Sequence, residues 1–516
     1  MDKKVLFLKA RLGIEDPLPP LAFSYLGKIA KDKGYKVLVE NLNAQYNDKS
    51  NKDIVELIKA EKPEIVGISI ITNNARDSYK LLKQIRPYCE FIIAGGPHAT
   101  ICPEEVIEKG ADVVMLGEAE VTFKKMLDGV DFSKKSLKKV RGIVFKDENK
   151  VGKRFVNTGA PEEIELDKLP IPDREIHRLS DYVRVKDEIN NLGAILSSRG
   201  CTGRCSFCFH SLFGKCFRFR SADNVIKEIK YLNEKYGITS IDFVDDALTV
   251  NKKRLIEICN KIVEQGIDIE WVCASRIDFL DKELIFKMKQ AGCGMISLGV
   301  ESCIPETLKR TKKTGNPEWY VKHTDKVLKW CQEAGIRAGV NTLVGFPWET
   351  ADDMKYFQKY VKKISPYVTQ CFDGGIVQPQ PGTEVYNEYA KKYGFENWWL
   401  EREPLFKDDY RPFFMTYYHT FWDHLHNNFF KYNKKMFREI DKLYKIMGKW
   451  DLHMISKRRF KNKFKAYFVY QGLYFLSNFS LFLFNINPKL ERTLMERVKK
   501  FSYKFKFKKG AENKEL

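Results

Sequence analysis

Ser198-Arg199-Gly200-Cys201-Thr202-Gly203-Arg204-Cys205-Ser206-Phe207-Cys208 follows directly on a short apolar run, Ala194–Ser197, that reads as a buried strand. Three thiols stand within eight residues of a glycine-containing loop. Such a soft donor set suits an iron–sulfur cluster or zinc. Structural zinc wants a fourth protein ligand, usually from a second pair, and the chain has no second C-x-x-C. Three thiolates on a four-iron cluster leave one iron open, the kind of position a catalytic centre needs. The other cysteines, Cys89, Cys102, Cys216, Cys259, Cys273, Cys293, Cys303, Cys331 and Cys371, have no pair spacing, and the bland reading for them is small core side chains.

Downstream of this loop, strand and helix patterns alternate. Candidate strands are Ser240–Val244, Glu270–Ala274, Met295–Gly299, Arg337–Val344 and Gly374–Gln378, with helices such as Asn224–Tyr236 and Lys282–Gln290 between them. Counting Ala194–Ser197, six strand–helix units predict an incomplete or complete barrel with its catalytic loops at the strand C-termini. Upstream, Lys4–Leu8, Lys36–Glu40, Ile65–Ile70, Phe91–Ala94 and Val113–Leu116 are apolar runs separated by amphipathic stretches. That pattern predicts an α/β domain with a parallel sheet covered on both faces and ligands at the strand carboxyl ends. The expected division is 1–135, a linker with short β elements at 136–190, the barrel at 191–394 and a basic, aromatic helical region at 395–516. The linker carries LDKLPIPDREI at Leu166–Ile176, whose prolines read as extended backbone.

At 516 residues the chain is too long for one ordinary core, and 44% hydrophobic residues exclude a disordered protein. The formal charge of +21 is unevenly placed. Residues 431–516 hold 23 Lys/Arg against 7 Asp/Glu, a net of +16, which leaves about +5 for the rest. Within that tail, Ala466–Pro488 has no charged residue and is long enough to cross a bilayer, but it contains Gln471, Asn478, Asn485 and Asn487. KRRFKNKFK precedes it and KKFSYKFKFKK follows. Interleaved aromatic and basic residues suit a helix lying on an anionic membrane, and a helix packed on the barrel fits equally. Nucleic-acid binding ranks last, since no RNA-binding module is recognisable. The N-terminus lacks a long apolar segment, so the expectation is a cytoplasmic protein, peripheral on the inner face of the membrane.

C-x-x-x-C-x-aromatic-C after the first barrel strand resembles the signature of radical S-adenosylmethionine (SAM) enzymes. The resemblance implies a [4Fe–4S] cluster held by Cys201, Cys205 and Cys208, with Phe207 beside it and SAM chelated on the open iron. It also implies SAM contacts at four other strand ends. Asp245 and Asp246 stand where the family has Gly-Gly-Glu, and Glu301 with Ser302 ends the fourth strand. Gly345 and Glu349 belong to a G-x-P-x-E-T-like element, and Gln378–Thr383 resembles a P-x-P-G-T turn. Arg276 stands at another strand end, facing the cavity.

The first domain is similar to the Rossmann-like cobalamin-binding domain that precedes the barrel in a large radical SAM subgroup. By that resemblance Ser69, Thr72, Gly95, Gly96, Gly117 and Glu118 line the slot for the cobalamin tail. The loop Lys9–Pro17 lacks the Asp-x-His-x-x-Gly of classical cobalamin domains, so cobalt would have no protein imidazole below it. His98 is expected to be structural or tail-contacting. The implied chemistry is reductive cleavage of SAM to a 5′-deoxyadenosyl radical and attack on an unactivated carbon of a small-molecule or lipid substrate, with cobalamin delivering a methyl group. The implied reductant is of the flavodoxin or ferredoxin type. A radical cyclase of the tetrapyrrole type and a non-catalytic, membrane-docked cobalamin or iron–sulfur carrier or sensor stand as alternatives.

Overall fold

A computed structural model gives the fold. It describes residues 3–11, 16, 18–44, 47–129, 131–147, 154–178, 193–210, 212–213, 216–401, 428–459, 462–487, 490 and 493–494.

Among these residues the first sheet has seven strands. They are β1 (Lys4–Lys9), β2 (Lys36–Asn41), β3 (Ile65–Ser69), β4 (Phe91–Gly95), β5 (Val113–Met115), β6 (Ile143–Lys146) and β7 (Phe155–Asn157), in the order β2-β1-β3-β4-β5-β6-β7. β1 to β5 run parallel, and the alternating side chains of the inner strands bury on both faces, while the edge strand β2 is only half-buried. Val5 and Phe7 join Phe23, Ile93 and Phe123 on one side, while Leu6 and Leu8 join Ile54, Val66 and Leu82 on the other. β6 and β7 add antiparallel to β5. The segment expected to be a linker from 136 therefore extends the first sheet, because a hairpin can join a sheet edge without a crossover helix.

Leu166–Ile176 then runs as short 3₁₀ turns between the two domains. Arg174 is drawn inside, donating to the Ala194 carbonyl at 2.5 Å and to Glu228 at 2.8 Å. Glu228, fully buried, also takes Arg220 at 2.5 Å.

The second sheet is wholly parallel. Its strands are β8 (Ala194–Ile195), β11 (Ser240–Phe243), β12 (Glu270–Arg276), β13 (Cys293–Glu301), β14 (Arg337–Val344) and β15 (Phe372–Ile376), in the order β15-β14-β13-β12-β11-β8. Among the described residues β8 and β15 are unjoined edges, so this is a partial (β/α)6 barrel. Between β8 and β11, β9 (Ser198–Arg199) pairs antiparallel with β10 (Arg218–Phe219) and closes the stem of the cysteine loop.

The C-terminal region is helical among the described residues. Helix Lys434–Arg459 packs on helix Ala351–Ile364 and covers the β15 edge, where Phe372 N donates to Asp451 at 2.8 Å and Trp450 Nε1 to the Val368 carbonyl at 3.2 Å. Helix Lys463–Ile486 packs in turn on Lys434–Arg459. No described helix is long and apolar enough to cross a membrane.

Candidate active site

The three thiols lie just beyond the β9–β10 stem. Gly200 starts the loop at φ 82°, and a Cβ there would stand 2.2 Å from the Cys216 carbonyl oxygen, so only glycine fits. Cys201 Sγ accepts Gly203 N at 3.3 Å, and burial pushes its thiol up. Cys205 is pulled down to about 6, first by a hydrogen bond from Cys208 and then by the charges of Lys313 and Arg276, while Cys208 moves up. The two thiols are thus pushed in opposite directions, Cys205 toward the thiolate. Arg276 sits at the end of β12, gripped by Asp278 at 2.7 and 3.0 Å, and donates Nη1 to Cys205 Sγ at 3.0 Å. Thiols with a ready thiolate and two neighbouring cations suit an anionic iron–sulfur cluster.

The strand ends expected to meet SAM divide into two groups. Asp246, at the end of β11, is solvent-facing and takes the Gly200 N–H over the cysteine loop. Glu301 ends β13 in the left-handed region at φ 62°, with Lys313 Nζ 3.2 Å away, and folds back over Gly299. Phe207 packs toward Phe346, which stacks on Trp348 at 5.0 Å. Of these, Asp246 stands near Cys201 and Glu301 near Cys205, while Phe346 is buried in the core.

Three others are spent on the protein itself. Asp245 is buried and accepts Ser197 N at 3.1 Å, Ser197 Oγ at 2.8 Å and Ser198 Oγ. Ser302 is buried and its Oγ accepts Ile304 N at 3.1 Å. Glu349 accepts Gly345 N at 2.6 Å, Phe346 N at 3.0 Å and Thr307 Oγ1 at 2.7 Å, and burial pushes it up to about 7. These three hold their loops in shape. Gly345, at φ 84°, lies under the Tyr432 hydroxyl, which donates to its carbonyl.

On the first domain, Ser69, Gly95, Gly96 and Gly117 line a cavity of about 320 Å³ together with Phe7, Tyr25 and Phe123. Its far wall is the barrel side, including Leu196, Phe213 and Val244. Gly96 adopts φ 97°, where a Cβ would press on the Ile70 carbonyl oxygen at 2.8 Å. Tyr25 Oη is buried here with no hydrogen-bond partner among the described residues, an orphaned donor beside an apolar slot. A flat heteroaromatic base carrying acceptor atoms fits such a slot, so the residues present suit the cobalamin tail. Thr72 is instead spent on His98, Oγ1 to Nδ1 at 3.2 Å. His98 is fully buried and its other nitrogen meets the Tyr79 hydroxyl at 2.9 Å, so both ring nitrogens have protein partners. Of the loop Lys9–Pro17, residues 12–15 and 17 lie outside the described residues.

Glu118 lines the same cavity and also carries ion pairs. Its carboxylate accepts Arg199 Nη1 at 2.6 Å and also Arg218, while Glu120 takes Arg199 Nη2 at 2.5 Å. Arg199, Glu118 and Glu120 are all buried and all border the cavity. The loop after β5 is thus bolted to the stem of the cysteine loop. The sequence offered one cue to this, an arginine two residues before the first cysteine, but its partners Glu118 and Glu120 lie about eighty positions upstream.

The B12 binding domain family matches residues 11–127 and the Radical SAM superfamily matches residues 195–361. The chain is 32% identical over 377 residues to the uncharacterized methyltransferase PH0819 of Pyrococcus horikoshii, covering 72% of this chain and 78% of that protein. It is 25% identical to the anaerobic magnesium-protoporphyrin IX monomethyl ester cyclase of Rubrivivax gelatinosus over 77% of this chain and 74% of that one. Among solved structures, the radical SAM methyltransferase TsrM of Kitasatospora setae, with cobalamin and a [4Fe–4S] cluster bound, aligns with a TM-score of 0.61 at 20% identity over 76% of both chains. The cobalamin-dependent radical SAM enzyme OxsB, with aqua-cobalamin and SAM bound, aligns with a TM-score of 0.64 at 16% identity over 97% of this chain and 75% of that one. The fold is therefore shared from the first strand into the C-terminal helices, and the similarity to PH0819 over most of both chains makes this protein a member of the cobalamin-binding radical SAM enzyme family, whose cofactors are cobalamin, SAM and a [4Fe–4S] cluster.

Proposed function

We propose that the protein is a cobalamin-dependent radical SAM methyltransferase acting on an unactivated carbon. The observation that carries this is the juxtaposition of an apolar slot, with its orphaned Tyr25 hydroxyl, and the cysteine loop, fastened to each other by Glu118, Glu120, Arg199 and Arg218. Relatives named as methyltransferases support it: PH0819, and at 25% identity the cytidylyl-2-hydroxyethylphosphonate methyltransferase of Streptomyces wedmorensis.

In this reading Cys201, Cys205 and Cys208 hold the cluster, and Arg276 holds Cys205 in place. Asp246 and Glu301 are the carboxylates left to meet the amino group and ribose of SAM. Phe207 and Phe346 exclude water from that side. Gly95, Gly96 and Gly117 let the backbone close on the cobalamin tail, and Ser69 and Tyr25 offer hydroxyls to it. The cofactors supply the radical and the methyl group. A one-electron reductant of flavodoxin or ferredoxin type, a small-molecule or lipid substrate and a peripheral place on an anionic membrane complete the reading.

The test is anaerobic reconstitution with iron, sulfide and cobalamin, followed by SAM, a low-potential reductant and a cell extract as substrate source. The expected products are 5′-deoxyadenosine together with S-adenosylhomocysteine, one from radical formation and one from methyl donation. 5′-Deoxyadenosine without S-adenosylhomocysteine would overturn methylation in favour of ring closure. Absence of both would overturn the enzyme reading.

A further inference from the structure

Helix Lys463–Ile486 presents an unusual face to solvent. Phe464, Tyr467, Phe468, Phe475, Phe479, Phe482 and Ile486 are all exposed, Phe464 by 80%, Phe468 by 71%, Phe475 by 67% and Ile486 by 64%. Their spacing of three, four and seven places them in one stripe along the helix. From Phe464 to Ile486 that stripe runs about 33 Å. Scattered exposed apolar residues are ordinary on a protein surface, but seven large apolar side chains on one helix face, interrupted only by exposed Gln471 and Gly472 among the described residues, are not. The helix is held on another side by helix Lys434–Arg459, where Tyr470 is buried and meets His453 at 5.8 Å.

The charges around the stripe choose its partner. Six of the nine residues from Lys457 to Lys465 are Lys or Arg and none is acidic, and Lys457 and Lys465 are exposed. Beyond the helix, residues 489–509 hold nine Lys or Arg against two Glu. The stretch between has no charge. Apolar side chains flanked by cations match the acyl boundary and the headgroups of an anionic bilayer. A second copy of the chain would bring the same cations and repel. Nucleic acid would take the lysines and leave the phenylalanines in water.

We propose that this helix lies flat in the headgroup region of an anionic membrane, with Phe464, Phe468, Phe475, Phe479, Phe482 and Ile486 inserted. The helix pair that carries it leans on β15, one of the two unjoined barrel edges, through the Phe372–Asp451 hydrogen bond. An apolar substrate would then be gathered from the bilayer on which the enzyme rests. That last step rests on the catalytic reading above; the docking does not.

The test is flotation of the full chain, anaerobically reconstituted, with vesicles of phosphatidylcholine alone or mixed with phosphatidylglycerol. Recovery with the mixed vesicles should exceed that with phosphatidylcholine alone by about tenfold or more and fall with added salt. Phe468→Ser/Phe475→Ser/Phe482→Ser, three exposed positions, should abolish flotation while retaining the visible spectrum of the bound cofactors. Wild-type protein that stays with the buffer, or a triple variant that floats equally well, overturns the proposal. So does a wild-type dimer by light scattering that the triple variant turns into monomer, since a second copy then covers the stripe. SAM cleavage is followed in the same samples, and its failure with flotation intact would fell the catalytic reading alone.

Discussion

Glu118 accepts hydrogen bonds from Arg199, 81 residues away, and from Arg218, 100 residues away. Both arginines stand opposite each other at the β9–β10 stem, so one carboxylate spans the root of the cysteine loop. Removing it leaves the buried Arg199 guanidinium with Glu120 alone and Arg218 with the exposed Glu163 and the Ile164 carbonyl. Breaking a buried pair from one side costs about 3–5 kcal/mol, so Glu118→Ala should destabilise the chain by about that amount in denaturant unfolding. The same variant should retain less cobalamin and alter the visible spectrum of the cluster, because the bolt joins both sites. An unchanged midpoint would show that the pairs do not form in solution. Tyr25→Phe probes the slot more gently: stability should hold, since the lost hydroxyl has no protein partner, while cobalamin affinity should drop severalfold. Equal affinity would remove Tyr25 from the tail site. At this scale the three cysteines were legible because their meaning lies in local spacing. Asp245 and Asp246 were not told apart, because adjacent residues at a strand end point opposite ways and the pattern does not say which way is inward. Asp245 went to the serines behind it and Asp246 to the loop in front. The partners of Arg199 were invisible for another reason: nothing local marks a contact made across two domains.

Elements were the most legible scale. Parallel strands buried on both faces are continuous apolar runs, and KVLFL, IVGIS and FIIAG could hardly be anything else. β6 and β7 were missed as members of the first sheet because short strands between polar turns look like a linker until their neighbour is known. The cysteine loop is an element with one point of conformational need. Gly200 combines φ 82° with a Cβ position 2.2 Å from a backbone oxygen, which cannot move aside as a flexible side chain could. Gly200→Ala should therefore open the β9–β10 stem locally. Iron bound after reconstitution should fall well below the three-per-chain level of a damaged cluster, while far-ultraviolet circular dichroism stays at the wild-type value. Full iron loading would mean that the loop tolerates the shift and that the glycine is not what shapes it.

At the scale of the whole molecule, the contacts that hold the two domains in register include the Glu118 bolt, a shared apolar cluster in which Ile70 and Ile107 join Val377 and Trp399, and the segment Pro172–His177. In that segment Asp173 N donates to the Ser24 carbonyl at 3.1 Å, and His177 Nε2 meets Ser24 Oγ at 2.8 Å, both on the first helix of the first domain. Arg174 points the other way, to Glu228 in the barrel. His177 is buried, and burial pushes its pKa down to about 4, against the pull of Asp173. The folded protein therefore keeps this imidazole neutral. The unfolded chain protonates it near the ordinary value of about 6.5, so below that pH the unfolded state binds a proton that the folded state refuses. The contribution is complete above pH ~6.5 and is lost progressively as pH falls toward ~4, with a ceiling of about 3 kcal/mol from a shift of this size. Carboxylates elsewhere titrate in the same window, so the wild-type slope alone cannot assign the effect. His177→Gln keeps a polar side chain for Ser24 and removes the titration. Unfolding free energy measured from pH 7 to pH 5 should fall more steeply for wild type than for the variant, and the two curves should converge toward the acid end. Parallel curves would mean that the imidazole takes up its proton alike in the folded and unfolded states, and that the segment is not the closed junction its hydrogen bonds describe.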